Sequence, residues 1–230
     1  MVFSSKEAFL SRSEQELAAL YDQFTTLQDI PFSSLNPAET ALVVVDMVNG
    51  FAKQGALSSP RVGEMAAPIA QLALACRQVG IPVVAFADTH TPDSLELESY
   101  PPHCLRDTEE ARLVPELEAV AAADAPGSFT RIDKNSTNGF VEPMFDAWRR
   151  ENPSVSTYVV VGDCTDICIL QFALTAKAFA NTRNRRLRVL VPTALVDTFD
   201  GPGHPAELAN AAALYSLRAN GVELCRRLVL

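Results

Sequence analysis

No apolar run in this chain approaches the ~20 residues that a membrane-spanning helix needs, so a membrane partner is not expected. It has no glycine-rich phosphate loop of either standard spacing, which leaves a nucleotide cofactor unsupported. Internal repeats and low-complexity tracts are also missing. Cationic charge is scarce: 19 Lys and Arg face 28 Asp and Glu, a formal net charge of −9. Nucleic acid needs a basic surface and is therefore not an expected partner, and the overall field gives no help to strongly anionic substrates. The one basic concentration, Arg183, Arg185, Arg186 and Arg188, reads as a solvated helix end leading into a strand. The five cysteines (Cys76, Cys104, Cys164, Cys168, Cys225) are odd in number and widely spread. That argues against a disulfide framework and for a reducing, cytoplasmic setting. Cys164 and Cys168 lack zinc-site spacing and a second pair. Residues 1–20 carry Lys6, Glu7, Arg12, Glu14 and Glu16 and no apolar core of signal length, so secretion is not expected.

What remains is a globular composition: 230 residues, 48% apolar, with a mean hydropathy of +0.08. This suits one domain with an appendage. Residues 13–27 place Leu17, Leu20, Tyr21, Phe24 and Leu27 at helical spacing, and we read residues 1–38 as an N-terminal helical extension. From 39 to 230 short apolar strands alternate with helical stretches. Strands are expected over 42–45, 83–87, 128–132, 158–161, 187–191 and 222–225, and helices over 62–79, 141–149, 167–180 and 206–219. Gly80-Ile81-Pro82 and Asn220-Gly221 are helix stops. Alternation of this type implies a three-layer α/β fold, a mainly parallel sheet of about six strands with helices on both faces.

Three strand ends carry reactive side chains. The run Tyr158-Val159-Val160-Val161 is broken by Gly162, Thr165 or Asp166 can cap a helix, and Cys168 falls in that helix's first turn. Unpaired N–H groups and the helix dipole there favour thiolate over thiol, and in a parallel sheet such a turn lies where ligands bind. A buried structural cysteine is the plainer alternative. The strand ending in Val43-Val44-Val45 delivers Asp46, and a short strand runs into a polar turn that carries Lys134. Together the three offer a nucleophilic thiol, a carboxylate to shuttle its proton and an ammonium as electrostatic partner. A second constellation follows the strand at 83–87: Asp88, His90 and, further on, His103 are oxygen and imidazole donors suited to Zn²⁺, Mn²⁺ or Fe²⁺. Two of the chain's three histidines fall in it; the third, His204, reads as a loop or helix-start residue.

These segments, in this order from about Ala41 to near the C-terminus, resemble the isochorismatase-like cysteine hydrolases and, within them, the nicotinamidases. The pieces that carry the resemblance are Asp46 with Phe51, Asp88-Thr89-His90, Tyr100-Pro101-Pro102-His103-Cys104, Lys134 with Asn138-Gly139-Phe140, and Gly162 through Cys168. The resemblance implies a catalytic triad of Asp46, Lys134 and Cys168. It also implies an oxyanion hole from the amides of Cys164 and Cys168, with a cis peptide before Cys164. Asp88, His90 and His103 are implied as metal ligands with an additional acid, best placed at Glu96, while Glu98 and Asp93 lie close. Phe51 and Tyr100 match positions that flank the substrate's pyridine, although ordinary core packing would also explain them. The implied reaction is hydrolysis of nicotinamide to nicotinate and ammonia through a cysteine thioester, a step of NAD salvage, in a protein expected to be a homo-oligomer. The implied metal would hold the ring nitrogen and orient the carboxamide. Asp163 departs from the family's usual apolar residue and is expected to point away from the pocket. A hydrolase of another small amide, or an isochorismatase, is a sibling reading, against which the Asp88–His90–His103 cluster argues. A non-catalytic scaffold on the same fold would have no use for Asp46, Lys134 and Cys168 together.

Overall fold

The computed structural model describes residues 5–230. Helix α1, Lys6–Thr25, begins at Ser5, whose hydroxyl accepts from the Ala8 N–H. It thus starts a full turn and more before the expected segment. Strand β1 is Ile30–Pro31 and β2 is Thr40–Val45; α2 covers Asn49–Ala52, α3 Pro60–Glu64 and α4 Ala66–Gln78. Strand β3, Val83–Asp88, is followed by α5, Pro115–Ala122, and β4, Phe129–Lys134. Helix α6, Pro143–Glu151, leads to β5, Thr157–Gly162. A π-helical turn, Thr165–Ile169, runs into α7, Leu170–Asn181. Strand β6, Arg188–Pro192, helix α8, Ala206–Ala219, and strands β7, Glu223–Cys225, and β8, Leu228–Val229, complete the chain.

The main sheet has the order β4-β3-β2-β5-β6-β7 and every pairing is parallel. Parallel strands need crossovers, and the helices that supply them cover both faces, so the central strands read as unbroken apolar runs. All six residues of β2 and of β3 are buried. Strand alternation sends Leu42 and Val44 into one core with Ile69, Leu72 and Leu117, and Val43 and Val45 into another with Phe86, Phe145 and Phe172. A small parallel pair, β1 with β8, ties residues 30–31 of the N-terminal extension to the end of the chain. Helix α1 has no buried residue and touches α8, where Arg218 bonds Gln23 and lies over the Phe24 ring.

All six expected strands are present, and the differences have local causes. Strand β4 continues past Ile132 to Lys134, because its ladder to β3 extends to the pair Asp88 and Lys134. The helix expected over 62–79 breaks at Met65 into α3 and α4. The helix expected from 141 begins at Pro143, with proline in the first turn where no N–H partner is needed. The eight-residue α5 and the two-residue strands β1 and β8 are too short to leave a readable period. Neither Thr165 nor Asp166 caps a helix: both lie inside the π turn, where the N–H groups of Ile167 and Ile169 donate to the Cys164 carbonyl.

Candidate active site

The strand order decides which side chains meet. Lys134 ends β4, Asp88 ends β3, Asp46 follows β2, and Cys168 sits in the turn after β5: four neighbouring strands, all at their carboxyl ends. Asp88 and Lys134 are register partners, so their side chains leave the sheet side by side, and Lys134 Nζ donates to Asp88 Oδ1 at 2.6 Å. The same ammonium lies 3.0 Å from Asp46 Oδ2. Asp46 turns out of its strand with φ +53°, and its N–H is held by the Phe86 carbonyl. Beside it β5 closes on β2 so tightly that a Cβ on Gly162 would lie 2.0 Å from the Val45 carbonyl oxygen. Only glycine allows that approach, and it brings the Cys164–Cys168 turn next to Asp46.

Asp46 and Lys134 are wholly buried and Cys168 is 7% exposed, at the floor of a narrow, mainly apolar cleft. Burial is the largest influence on each. It lifts the Asp46 carboxyl to about 7, against the pull of Lys134 and aided by Asp88. The Cys168 thiol comes close enough to Asp46 to temper that rise, without the alignment of a full hydrogen bond. Burial also pushes the Cys168 thiol up, opposed by Lys134 and reinforced by Asp46. This corrects the expectation that the helix start alone favours thiolate: desolvation of the charged sulfur outweighs it, and the resting thiol keeps its proton. Lys134 itself is held well above its ordinary value by Asp46 and Asp88 despite its burial.

The peptide between Asp163 and Cys164 is cis. Among the described residues the Cys164 N–H has no acceptor. Asp163 is 1% exposed and does not line the cleft; its Oδ2 lies 3.7 Å from Cys164 Sγ. Burial, with the negative charge of Asp46, drives its carboxyl far above the usual range.

Asp88, His90, Glu96 and His103 form the second cluster, with ligand atoms within 4.8 Å of one another. Both His90 Nε2 and His103 Nε2 lie 2.9 Å from Asp88 Oδ2, and His90 Nε2 is 3.8 Å from Glu96 Oε1. Each imidazole is fixed from behind: His90 Nδ1 meets Asn135 Oδ1 at 3.0 Å, and His103 Nδ1 meets the Pro101 carbonyl at 2.8 Å. Nδ1 donates to those oxygens and each Nε2 points at the same carboxylates. Burial pulls both imidazoles down, and the hydrogen bonds each ring makes, to Asp88 above all, outweigh it and raise both above their ordinary value. A proton on each ring satisfies Asp88 as the cluster stands, and in place of those protons this donor set fits a divalent transition metal. Of the three acids considered for the fourth position, the fold brings Glu96; Asp93 is exposed and accepts from Thr91 at 2.6 Å, and Glu98 is exposed.

Phe51 and Tyr100 both line the cleft, their rings 5.6 and 6.1 Å from that of His103. The wall is completed by residues the sequence did not single out: Leu57, Thr137, Ile167 and Phe199. Asn135 is also new, holding His90 and accepting from Ser94 at 2.6 Å; its place next to Lys134 in a polar turn was the available signal. His204, read as a loop residue, does lie in a loop, where its ring stacks on Phe199 at 3.9 Å and its Nε2 bonds Asp166 Oδ2 at 2.8 Å.

Comparison with known proteins gives this geometry a context. The isochorismatase-domain profile matches residues 40–218. Nicotinamidase 1 of Arabidopsis thaliana is 32% identical over 238 aligned residues, covering 91% of this chain and 94% of the relative. Among solved structures, N-carbamoylsarcosine amidase from Thermoplasma acidophilum superposes with a TM-score of 0.64 at 28% identity, over 82% of this chain and 96% of the other. Pyrazinamidase of Pyrococcus horikoshii, solved in complex with zinc, shares the fold at a TM-score of 0.62 and 22% identity, over 82% and 99%.

Proposed function

The chain belongs to the isochorismatase-domain family, and within it we propose a metal-dependent amidohydrolase that converts nicotinamide to nicotinate and ammonia. One observation carries this reading: a thiol, a carboxylate and an ammonium meet an Asp–His–Glu–His donor set across one narrow cleft. The 32% identical nicotinamidase supports the substrate.

Asp46, near 7, accepts the proton of Cys168 at neutral pH, and Lys134 balances the charge on the sulfur. The thiolate attacks the amide carbon. The N–H of Cys164, which lacks an acceptor, and that of Cys168 are the donors available to the oxyanion. Protonated Asp46 then gives its proton to the departing ammonia, leaving a thioester on Cys168. Water, deprotonated by Asp46, hydrolyses it to nicotinate and restores the thiol. Phe51 and Tyr100 confine a flat ring between them. A divalent metal held by Asp88, His90, Glu96 and His103 (zinc, manganese and iron all suit these donors) would supply a Lewis-acidic anchor for a pyridine nitrogen.

A second reading, hydrolysis of another small amide, draws on the 28% identical N-carbamoylsarcosine amidase. The deciding experiment measures ammonia release by purified protein from nicotinamide, N-carbamoylsarcosine and benzamide, with metal analysis of the same sample. Nicotinamide should be the preferred substrate by a wide margin in kcat/KM. Preference for either of the others by metal-loaded, folded protein would replace this assignment.

A further inference from the structure

The basic run dismissed as a solvated helix end does not stand alone. Arg183, Arg185 and Arg186, just past α7, join Arg149 and Arg150 of α6 around a cavity of about 350 Å³. A second hollow shares Arg185 and Arg186 and adds Lys177 and Arg188. Seven of the chain's 19 cationic residues therefore line two adjoining hollows, with Asp146 the one acid in the lining and Glu223 pairing with Arg188 from beside it. In a protein of net charge −9, such a concentration is costly to hold together unless something anionic meets it.

Two of the arginines are held in place by aromatic rings. The Arg149 guanidinium lies 4.6 Å over the Phe140 ring and 4.3 Å over that of Phe179, whose ring also carries the Arg183 guanidinium at 3.6 Å. Asp146 takes up part of the charge of Arg149 and Arg150. Arg149 Nε is nonetheless buried with no acceptor, and Arg186 stands at an exposed position with no partner among the described residues. Aromatic packing orients a guanidinium and leaves its edge donors free, which suits paired hydrogen bonds to phosphate oxygens.

We propose that this cavity binds a small molecule bearing a di- or triphosphate group. Its volume lies within the ~300–1,000 Å³ usual for small-ligand pockets. Five arginines against one aspartate leave a surplus that a single carboxylate cannot match, whereas each terminal phosphate brings about −1.5 to −2 charges. The negative remainder of the surface favours a small ligand over a nucleic acid. The site is separate from the cleft: Tyr158 near the start of β5 lines it, while Cys168 follows the other end of that strand, which lies about 13 Å from Tyr158 at ~3.3 Å per residue, and the two sites share no lining residue. The assignment is independent of the proposed amide hydrolysis.

Calorimetric titration of the full chain with inorganic pyrophosphate, ATP and citrate, at low and at physiological salt, tests it. Saturable one-to-one binding of pyrophosphate or ATP is expected; equal affinities identify the inorganic ion as sufficient, and tighter ATP identifies an organic phosphate. Arg183→Gln and Arg186→Gln, both at exposed positions, should each weaken binding about tenfold without changing the thermal melting temperature. Absence of saturable binding, citrate bound as tightly as pyrophosphate, or affinity unchanged in both variants would overturn the assignment. So would an RNA oligomer whose affinity exceeds ATP and grows with its length.

Discussion

Lys134 Nζ sits 2.6 Å from Asp88 Oδ1, and that contact joins the two halves of the site. One carboxylate oxygen of Asp88 engages the ammonium that also lies beside Asp46, while the other faces the two imidazoles. Asp88 is held far below the ordinary carboxylate range by Lys134, His103 and His90 despite its burial, so it remains an anion for both partners. Charge at the donor cluster and charge at the nucleophile are therefore not independent.

Cys168→Ala should lower amide hydrolysis by at least about 10⁴-fold while the protein stays folded, as expected when a nucleophile is removed. Cys164→Ala should lose far less, since only its backbone N–H has a part. Steady-state kinetics with melting curves on both variants checks this. Equal losses would mean that the nucleophile has been assigned to the wrong cysteine.

The rate should depend on pH through Asp46. Its carboxyl is raised to about 7 and must be ionised to take the thiol proton, so kcat/KM should fall tenfold per pH unit below that value. The limb belongs to the coupled Asp46–Lys134–Cys168 group rather than to one residue. Asp46→Asn should abolish the limb along with most of the rate. A wild-type profile flat from pH 5 to 8 would exclude Asp46 as the base.

Lys134→Met is expected to damage both catalysis and stability. It leaves the carboxylates of Asp46 and Asp88 buried without their cation, a change that costs about 3–5 kcal/mol when a buried pair is broken. A fall in melting temperature of roughly 6–20 °C follows for a chain of this size. Thiol alkylation against pH should also show the apparent pKa of Cys168 moving upward, because the ammonium that lowers it is gone. An unchanged titration would uncouple Lys134 from the nucleophile.

Metal removal distinguishes an orienting site from a merely structural one. Chelation, verified by metal analysis, should weaken nicotinamide binding and turnover severely, and His103→Ala should reproduce that behaviour in a folded protein. Benzamide, which lacks the ring nitrogen, should be a poor substrate with or without metal. Full activity after verified metal removal would assign these donors some other role.

His204→Ala removes the ring stacked on Phe199, which lines the cleft, and the partner of Asp166 in the turn that carries Cys168. Because His204 touches the wall and not the nucleophile, KM should rise several-fold with kcat little altered. A loss confined to kcat would place His204 in the chemistry instead.

Much of this was legible in the chain itself. Apolar runs such as 42–45 and 158–161 mark buried parallel strands because both faces of such a sheet are covered. The reactive residues Asp46, Lys134 and Cys168 stand at or just past strand ends, and local order alone marks them as candidates. The strand order was not legible: β4-β3-β2-β5 is a pairing of segments far apart in sequence, set by how the helices pack. Only that order puts Lys134 between Asp46 and Asp88, and the conformation of the loop after β3, with its 3-10 turn at Leu95–Glu98, brings Glu96 rather than Glu98 or Asp93 to the histidines. The state of the thiol was likewise undecided. A helix start argues for thiolate, but burial is a property of the assembled fold, and desolvation outweighs the helix end. The arginines of α6 and of the loop after α7 lie more than thirty residues apart and read singly as solvated charges. Packing α6 beside α7 makes a cavity of them, because charge concentration, unlike hydrophobic period, depends on which surfaces are neighbours.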